Sequence, residues 1–188
     1  MTSQPETGER PGETLPTAAP SGSWLYGRWS AYCGWVVLVT FLLDQFHKWW
    51  MILVYKIGSK GRVTVTPFLD LVFVVNKGVS YGMLTQDGHE GQWLLAGFAV
   101  LTSLALWIWL AKTGTGRLMA GSLGLIIGGA LGNALDRLLI GGVADFFSLH
   151  AWGFYWYVFN IADVAIVAGV IGLLYESFVA TRSEPDSL

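Results

Sequence analysis

"LMAGSLGLIIGGALGNAL", residues 118–135, carries no charge, and the stretch after it, "DRLLIGGVADFF" at 136–147, brings in Asp136, Arg137 and Asp145. The uncharged run is about as long as a helix must be to cross the hydrocarbon of a bilayer. Charged groups at the edge of such a run cost free energy unless they are paired, hydrated or used for chemistry. Gly124, Gly128 and Gly132 recur every four residues and share one helix face, where a neighbouring backbone can approach closely. Asp136 continues that face, and Gly129, Asn133 and Arg137 form the stripe beside it. The run therefore reads as a packed transmembrane helix ending in a polar cluster, Asn133, Asp136 and Arg137, where it meets water. For Asp136 and Arg137, an ion pair with a neighbour that only steadies the helix end is favoured over a functional site.

The composition agrees. Of 188 residues, 53% are hydrophobic and 13% charged, against about 25% charged in an average soluble domain. A second uncharged run spans Trp93–Ala111. Two further apolar stretches are interrupted, Ala31–Tyr55 by Asp44, His47 and Lys48, and Phe154–Tyr175 by Asn160 and Asp163. Four spanning helices are expected. The segment between the first two is too long for a passive connection. In it "RVTVTPFLDLVFVV" (62–75) reads as two short strands broken at Pro67, a small sheet at the membrane surface. "NKGVSYGM" (76–83) follows, and its Asn76, Gly78 and Gly82 suit a tight loop or short helix.

Residues 1–29 hold four of the six prolines and are expected to form a disordered tail rather than a cleavable signal peptide. Residues 30–180 form the membrane domain, and 181–188 a short cytoplasmic tail. An even helix number places both termini beside the short loop "KTGTGR" (112–117). Its Lys112 and Arg117 lean the orientation towards cytoplasmic termini, although basic residues are nearly balanced between the two sides. Several of the ten tryptophans fall at predicted helix ends, as interfacial anchors do.

Several classes of function drop out. The net charge is −2 and no helix carries a basic stripe, so no nucleic-acid partner is expected. Cys33 is the only cysteine, which excludes an internal disulfide or a multi-cysteine metal site and leaves it as a small apolar filler. His89-Glu90 lacks the second histidine of a zinc-peptidase motif, and Ser122 lacks the frame and partners of a serine hydrolase. Intramembrane acids also mark ion paths, but transporters usually show internal repeats, and none is visible here.

The acids that remain cluster in the second half. Asn160 and Asp163 stand three apart at the start of the last apolar stretch, and Asp145 arrives from the loop before it. If the last two helices pack antiparallel, Asp145 and Asp163 lie near one membrane face. Two carboxyls close together at low dielectric do not both ionise readily and share a proton. One then takes a proton from water while the other protonates a carbonyl oxygen, which hydrolyses an amide without nucleophile or metal. A buried acid that fixes helix packing is the structural alternative for Asp163. Asp44 and Lys48, four apart with the acid first, have the spacing and order of a favourable helical pair. They are read as supporting the site, with His47 pointing elsewhere.

Taken in order, "LDQFHK", "NKGVSY", "GNALDR", "GGVADFF" and "FNIADVAI" on four predicted spans resemble the signature segments of signal peptidase II, the bacterial lipoprotein signal peptidase, over about residues 30–180. The resemblance implies an all-α membrane protein of four transmembrane helices with a small extracytoplasmic β-sheet cradle, in the bacterial cytoplasmic (inner) membrane. It implies an aspartic endopeptidase that needs no metal or organic cofactor. Its substrates would be prolipoproteins, cut before a cysteine already carrying diacylglycerol, with membrane lipid around the enzyme; a monomer is expected separately, because one chain holds every required residue. The catalytic pair matches Asp145 and Asp163. Asn76, Gly78, Asn133, Arg137 and Asn160 match residues lining the pocket, and Asp44, Lys48 and Asp136 match positions supporting it. Ser80, Tyr81 and Ala144 depart from the usual pattern, which would alter pocket shape and leave the chemistry intact.

Overall fold

The computed structural model describes residues 24–78, 89–113 and 116–182. Helix α1 (Ser30–Trp49) runs on through a π-helical turn at Trp50–Val54 to the short α2 (Ile57–Lys60). Strands β1 (Val63–Thr66) and β2 (Leu69–Asn76) follow, then helices α3 (His89–Thr113) and α4 (Arg117–Ile140). Strands β3 (Val143–Ala151) and β4 (Phe154–Phe159) lead into α5 (Ile161–Arg182). Among the described residues four helical segments are long and apolar enough to cross a membrane: Ser30–Val54, His89–Thr113, Arg117–Ile140 and Ile161–Val179. Their outward faces keep large apolar side chains such as Trp35, Leu94, Phe98 and Leu174 exposed, as lipid permits and water does not.

Helix α4 is the centre of the bundle, packed against α1, α3 and α5. Its glycine stripe and the stripe that begins at Gly129 meet different neighbours. A Cβ on Gly124 would fall 2.7 Å from Cβ of Val36, and one on Gly128 2.8 Å from the carbonyl oxygen of Val37, both on α1. A Cβ on Gly129 would instead fall 2.6 Å from the carbonyl oxygen of Ala162 on α5. These approaches leave no room for a side chain, so the two stripes set how closely α4 packs on each helix. Cys33, Leu110, Ala120, Leu123 and Ile127 fill the apolar centre where α1, α3 and α4 meet.

The sheet is larger than expected. The two predicted strands are present, and Pro67 lies in the turn between them. Among the described residues the sheet has four antiparallel strands in the order β1-β2-β3-β4. Residues 143–151, read as a loop, form β3, and Phe154–Phe159, read as the start of the last helix, form β4. A short apolar run is compatible with either strand or helix. The turn at Trp152 and Gly153, both with positive φ, folds β4 back onto β3. A second apolar cluster, Met51, Ile57, Ala144 and Phe146, joins the sheet to the end of α1.

At the other end of the bundle, residues 24–29, which the sequence places in the tail, are largely exposed but touch α3 at Leu25 and Gly27. The Trp107 indole donates to the Leu25 carbonyl at 3.0 Å, and a Cβ on Gly27 would meet the Ala111 carbonyl. Residues 1–23 and 183–188, and with them most of both predicted tails, lie outside the described residues, as do Ser80, Tyr81 and Gly82.

Candidate active site

The sheet delivers one acid and a helix start delivers the other. Asp145 sits in β3 opposite Val74 of β2, two pairs from Asn76 and Val143. Asp163 lies in the first turn of α5, where it forms a reciprocal cap with Asn160. The Asn160 side-chain oxygen accepts from Asp163 N–H at 3.0 Å, and Asp163 Oδ2 accepts from Asn160 N–H at 3.1 Å. This is a capping box, the arrangement that satisfies otherwise orphaned donors at a helix start. Asn160 is therefore the buried residue that caps the start of α5.

The same asparagine reaches both acids. Its Nδ2 donates to Asp145 Oδ1 at 2.7 Å and to Asn133 Oδ1 at 3.2 Å. Asn133 in turn donates Nδ2 to Asp163 Oδ1 at 3.0 Å. Asn76 donates to the other oxygen of Asp145 at 3.1 Å and to the Tyr157 hydroxyl at 3.3 Å. Asn76 accepts from Gly78 N–H at 3.0 Å, and the Gly78 carbonyl accepts from Arg137 at 3.3 Å. Asp145 and Asp163 both line a cavity of about 200 Å³, together with Asn76, Asn133, Arg137 and Tyr157. Burial pushes the Asp145 carboxyl up to about 7; the nearby Asp163 adds to the rise, and the hydrogen bonds from Asn76 and Asn160 only partly oppose it.

Beneath the cavity lies a buried ionic knot. Lys48 pairs with Asp44 and with Asp136, each at 2.8 Å, and donates to Asn133 Oδ1 at 2.9 Å. With that oxygen occupied by two donors, the Asn133 amide has only its NH₂ group left to offer Asp163. Asp44 also accepts from Ala162 N–H, and Asp136 from Ala144 N–H, so the knot ties α1 and α4 to the chain beside both acids. Burying an ammonium or a carboxylate costs several kcal/mol unless it is well paired, and here one cation serves two anions. Asp44, Lys48 and Asp136 thus form two buried ion pairs that share one ammonium. Arg137 does not pair with them; its guanidinium bonds the carbonyls of Asn133 and Gly78 at the cavity wall. His47 points away and stacks on Phe147 at 5.2 Å.

Two residues escaped the sequence reading. Gln45 donates to Asp136 at 3.0 Å and to Asp44 and the Gly132 carbonyl at 3.2 Å, bracing the knot. Its only signal was being one more polar residue in an apolar span. Tyr157 was hidden in an aromatic run read as the start of the last helix.

A family model for signal peptidase (SPase) II matches residues 36–179. The chain belongs to the signal peptidase II family. A lipoprotein signal peptidase of a Methylobacterium species is 51% identical over 138 residues, which cover 73% of this chain and 83% of that protein. One from Rhodopseudomonas palustris is 49% identical over 146 residues, covering 76% and 88%. Two bacterial membrane enzymes solved by the in meso method share the fold. One, at 24% identity, has a TM-score of 0.68 over 84% of this chain and 94% of its own. The other, at 25%, has a TM-score of 0.65 over 82% and 95%. As a member of the signal peptidase II family the chain is a peptidase and a multi-pass membrane protein.

Proposed function

We propose that this chain removes the signal peptide from diacylglyceryl-modified prolipoproteins, cutting before the lipidated cysteine, with Asp145 and Asp163 as its catalytic carboxyl pair. One observation carries the reading: the two carboxyls line one small cavity and are bridged by Asn160. With one proton between them, one carboxylate takes a proton from water and the resulting hydroxide attacks the scissile carbonyl carbon. The other carboxyl protonates the carbonyl oxygen. Collapse of the tetrahedral intermediate then passes a proton to the departing nitrogen, and no covalent enzyme intermediate forms. Asn76, Asn133 and Asn160 hold the acids, while Gly78 and Arg137 shape the wall against which the peptide lies.

The lipid on the substrate fits an enzyme whose cavity lies at the boundary between bundle and sheet, because acyl chains can stay in the membrane while the peptide bond reaches the acids. We place the sheet and cavity at the extracytoplasmic face of the bacterial inner membrane and the termini in the cytoplasm, in keeping with the basic residues beside the short loop. A single chain holds every residue the mechanism uses, which suits a monomer.

Asp145→Asn and Asp163→Asn are each expected to slow cleavage of a lipid-modified precursor about 10²–10⁴-fold while the protein still inserts in membranes and melts cooperatively. Full activity in either variant contradicts the pair.

A further inference from the structure

A second and larger groove, about 690 Å³, opens at the end of the bundle that carries the termini, away from the acids. Its walls include Tyr32 and Val36 of α1, Arg117, Leu118 and Leu125 of α4, and Ala168 of α5. Along α4 it extends from the first helical residue to Leu125, roughly 12 Å at the rise of an α-helix, which is most of one leaflet of about 15 Å. The groove is mainly apolar and runs from the helix ends into the depth of the membrane. Its size falls within the range of about 300–1,000 Å³ typical of small-ligand sites.

The mouth is cationic. Arg117 lies over the Tyr32 ring, 5.1 Å from its centroid, so both residues stand at the same opening. Arg28 and Lys112 do not line the groove; they lie over Trp29 and Trp24, at 5.4 and 4.1 Å. Among the described residues none of these three cations has a carboxylate within 4.0 Å. Glu176, one turn beyond the groove-lining Gly172, stands beside the mouth against Gly116, where a Cβ would fall 3.0 Å from its Oε1.

A trough of leaflet depth with a cation at its mouth matches one ligand in both parts. We infer that the groove binds an anionic phospholipid, one acyl chain lying along α4 and the phosphate resting on Arg117. A zwitterionic lipid fills the trough but brings its own cation to Arg117, and a soluble anion meets the arginine but leaves the apolar walls uncovered. Neither accounts for the whole site, and the inference does not depend on which peptide bond the enzyme cuts.

Native mass spectrometry of the full chain, released from detergent micelles doped with equal phosphatidylglycerol and phosphatidylcholine, tests this. The parent protein should retain phosphatidylglycerol several-fold in preference. Arg117→Gln should bring the ratio close to one, and Arg28→Gln, outside the groove lining, should leave it unchanged. Ala168→Trp, which fills the trough from an exposed position, should reduce retention of both lipids. An unchanged ratio in Arg117→Gln, or an equal loss in Arg28→Gln, overturns the site in favour of diffuse surface charge. So does full retention in a folded Ala168→Trp protein. The two arginine variants decide the question by themselves if the tryptophan variant does not fold.

Discussion

Asn160 does three things with one side chain: it starts α5, bonds Asp145 directly, and through Asn133 reaches Asp163. Its partner Asp145 has a carboxyl raised from an ordinary 3.8 to about 7, chiefly by burial. Between those two values the folded protein holds a proton that the unfolded chain releases. Stability is therefore expected to fall as pH rises from about 4 to about 7 and to level off above. Asp145→Asn, which removes the titrating group, should raise the thermal midpoint relative to the parent at pH 8 and have less effect at pH 4. An equal shift at both pH values contradicts that origin. Activity carries the related signature, since a pair that works by sharing one proton loses it as pH rises; the cleavage rate should decline through pH 7. A rate still rising there argues against the shared proton.

At the scale of elements, the spans were legible because lipid imposes long apolar runs and repeated glycines mark close helix contacts. A Cβ on Gly129 meets backbone, the Ala162 carbonyl, whereas one on Gly97 of α3 meets nothing within 4 Å. Gly129→Ala is thus expected to cost about 1–3 kcal/mol through overpacking, read as a lowered melting temperature. Gly97→Ala should be neutral or slightly stabilising, given the helix propensity of alanine. Comparable losses in both would remove close packing as the reason for the stripe. β4 was not legible by pattern, because "FYWYVF" is uniformly apolar and shows neither strand alternation nor helical period. The turn made by Trp152 and Gly153 joins it to β3, and a glycine beside an aromatic run was the one available cue. At the site, the acids stood out because carboxylates near lipid are conspicuous. Tyr157 and Gln45 did not, since each matters only through a partner far away in sequence.

In the whole molecule, the ionic knot around Lys48 joins the bundle to both acids, and the sheet holds Asp145 at the bundle's edge. This arrangement predicts dependence on substrate lipid. A precursor without diacylglycerol should be cut much more slowly than its modified form, because it lacks the acyl area that the membrane and bundle would bind. Equal rates for the two precursors contradict that role. The central claim is that Asp145 and Asp163 act as one unit, and a double-mutant cycle on cleavage of the lipid-modified precursor tests it most directly. General acid–base groups contribute about 10²–10⁴-fold each, and residues that act as a unit are strongly non-additive. Asp145→Asn, Asp163→Asn and the double variant should therefore all fall to the same residual rate, whereas a double variant slower by the product of the two single losses would contradict the account.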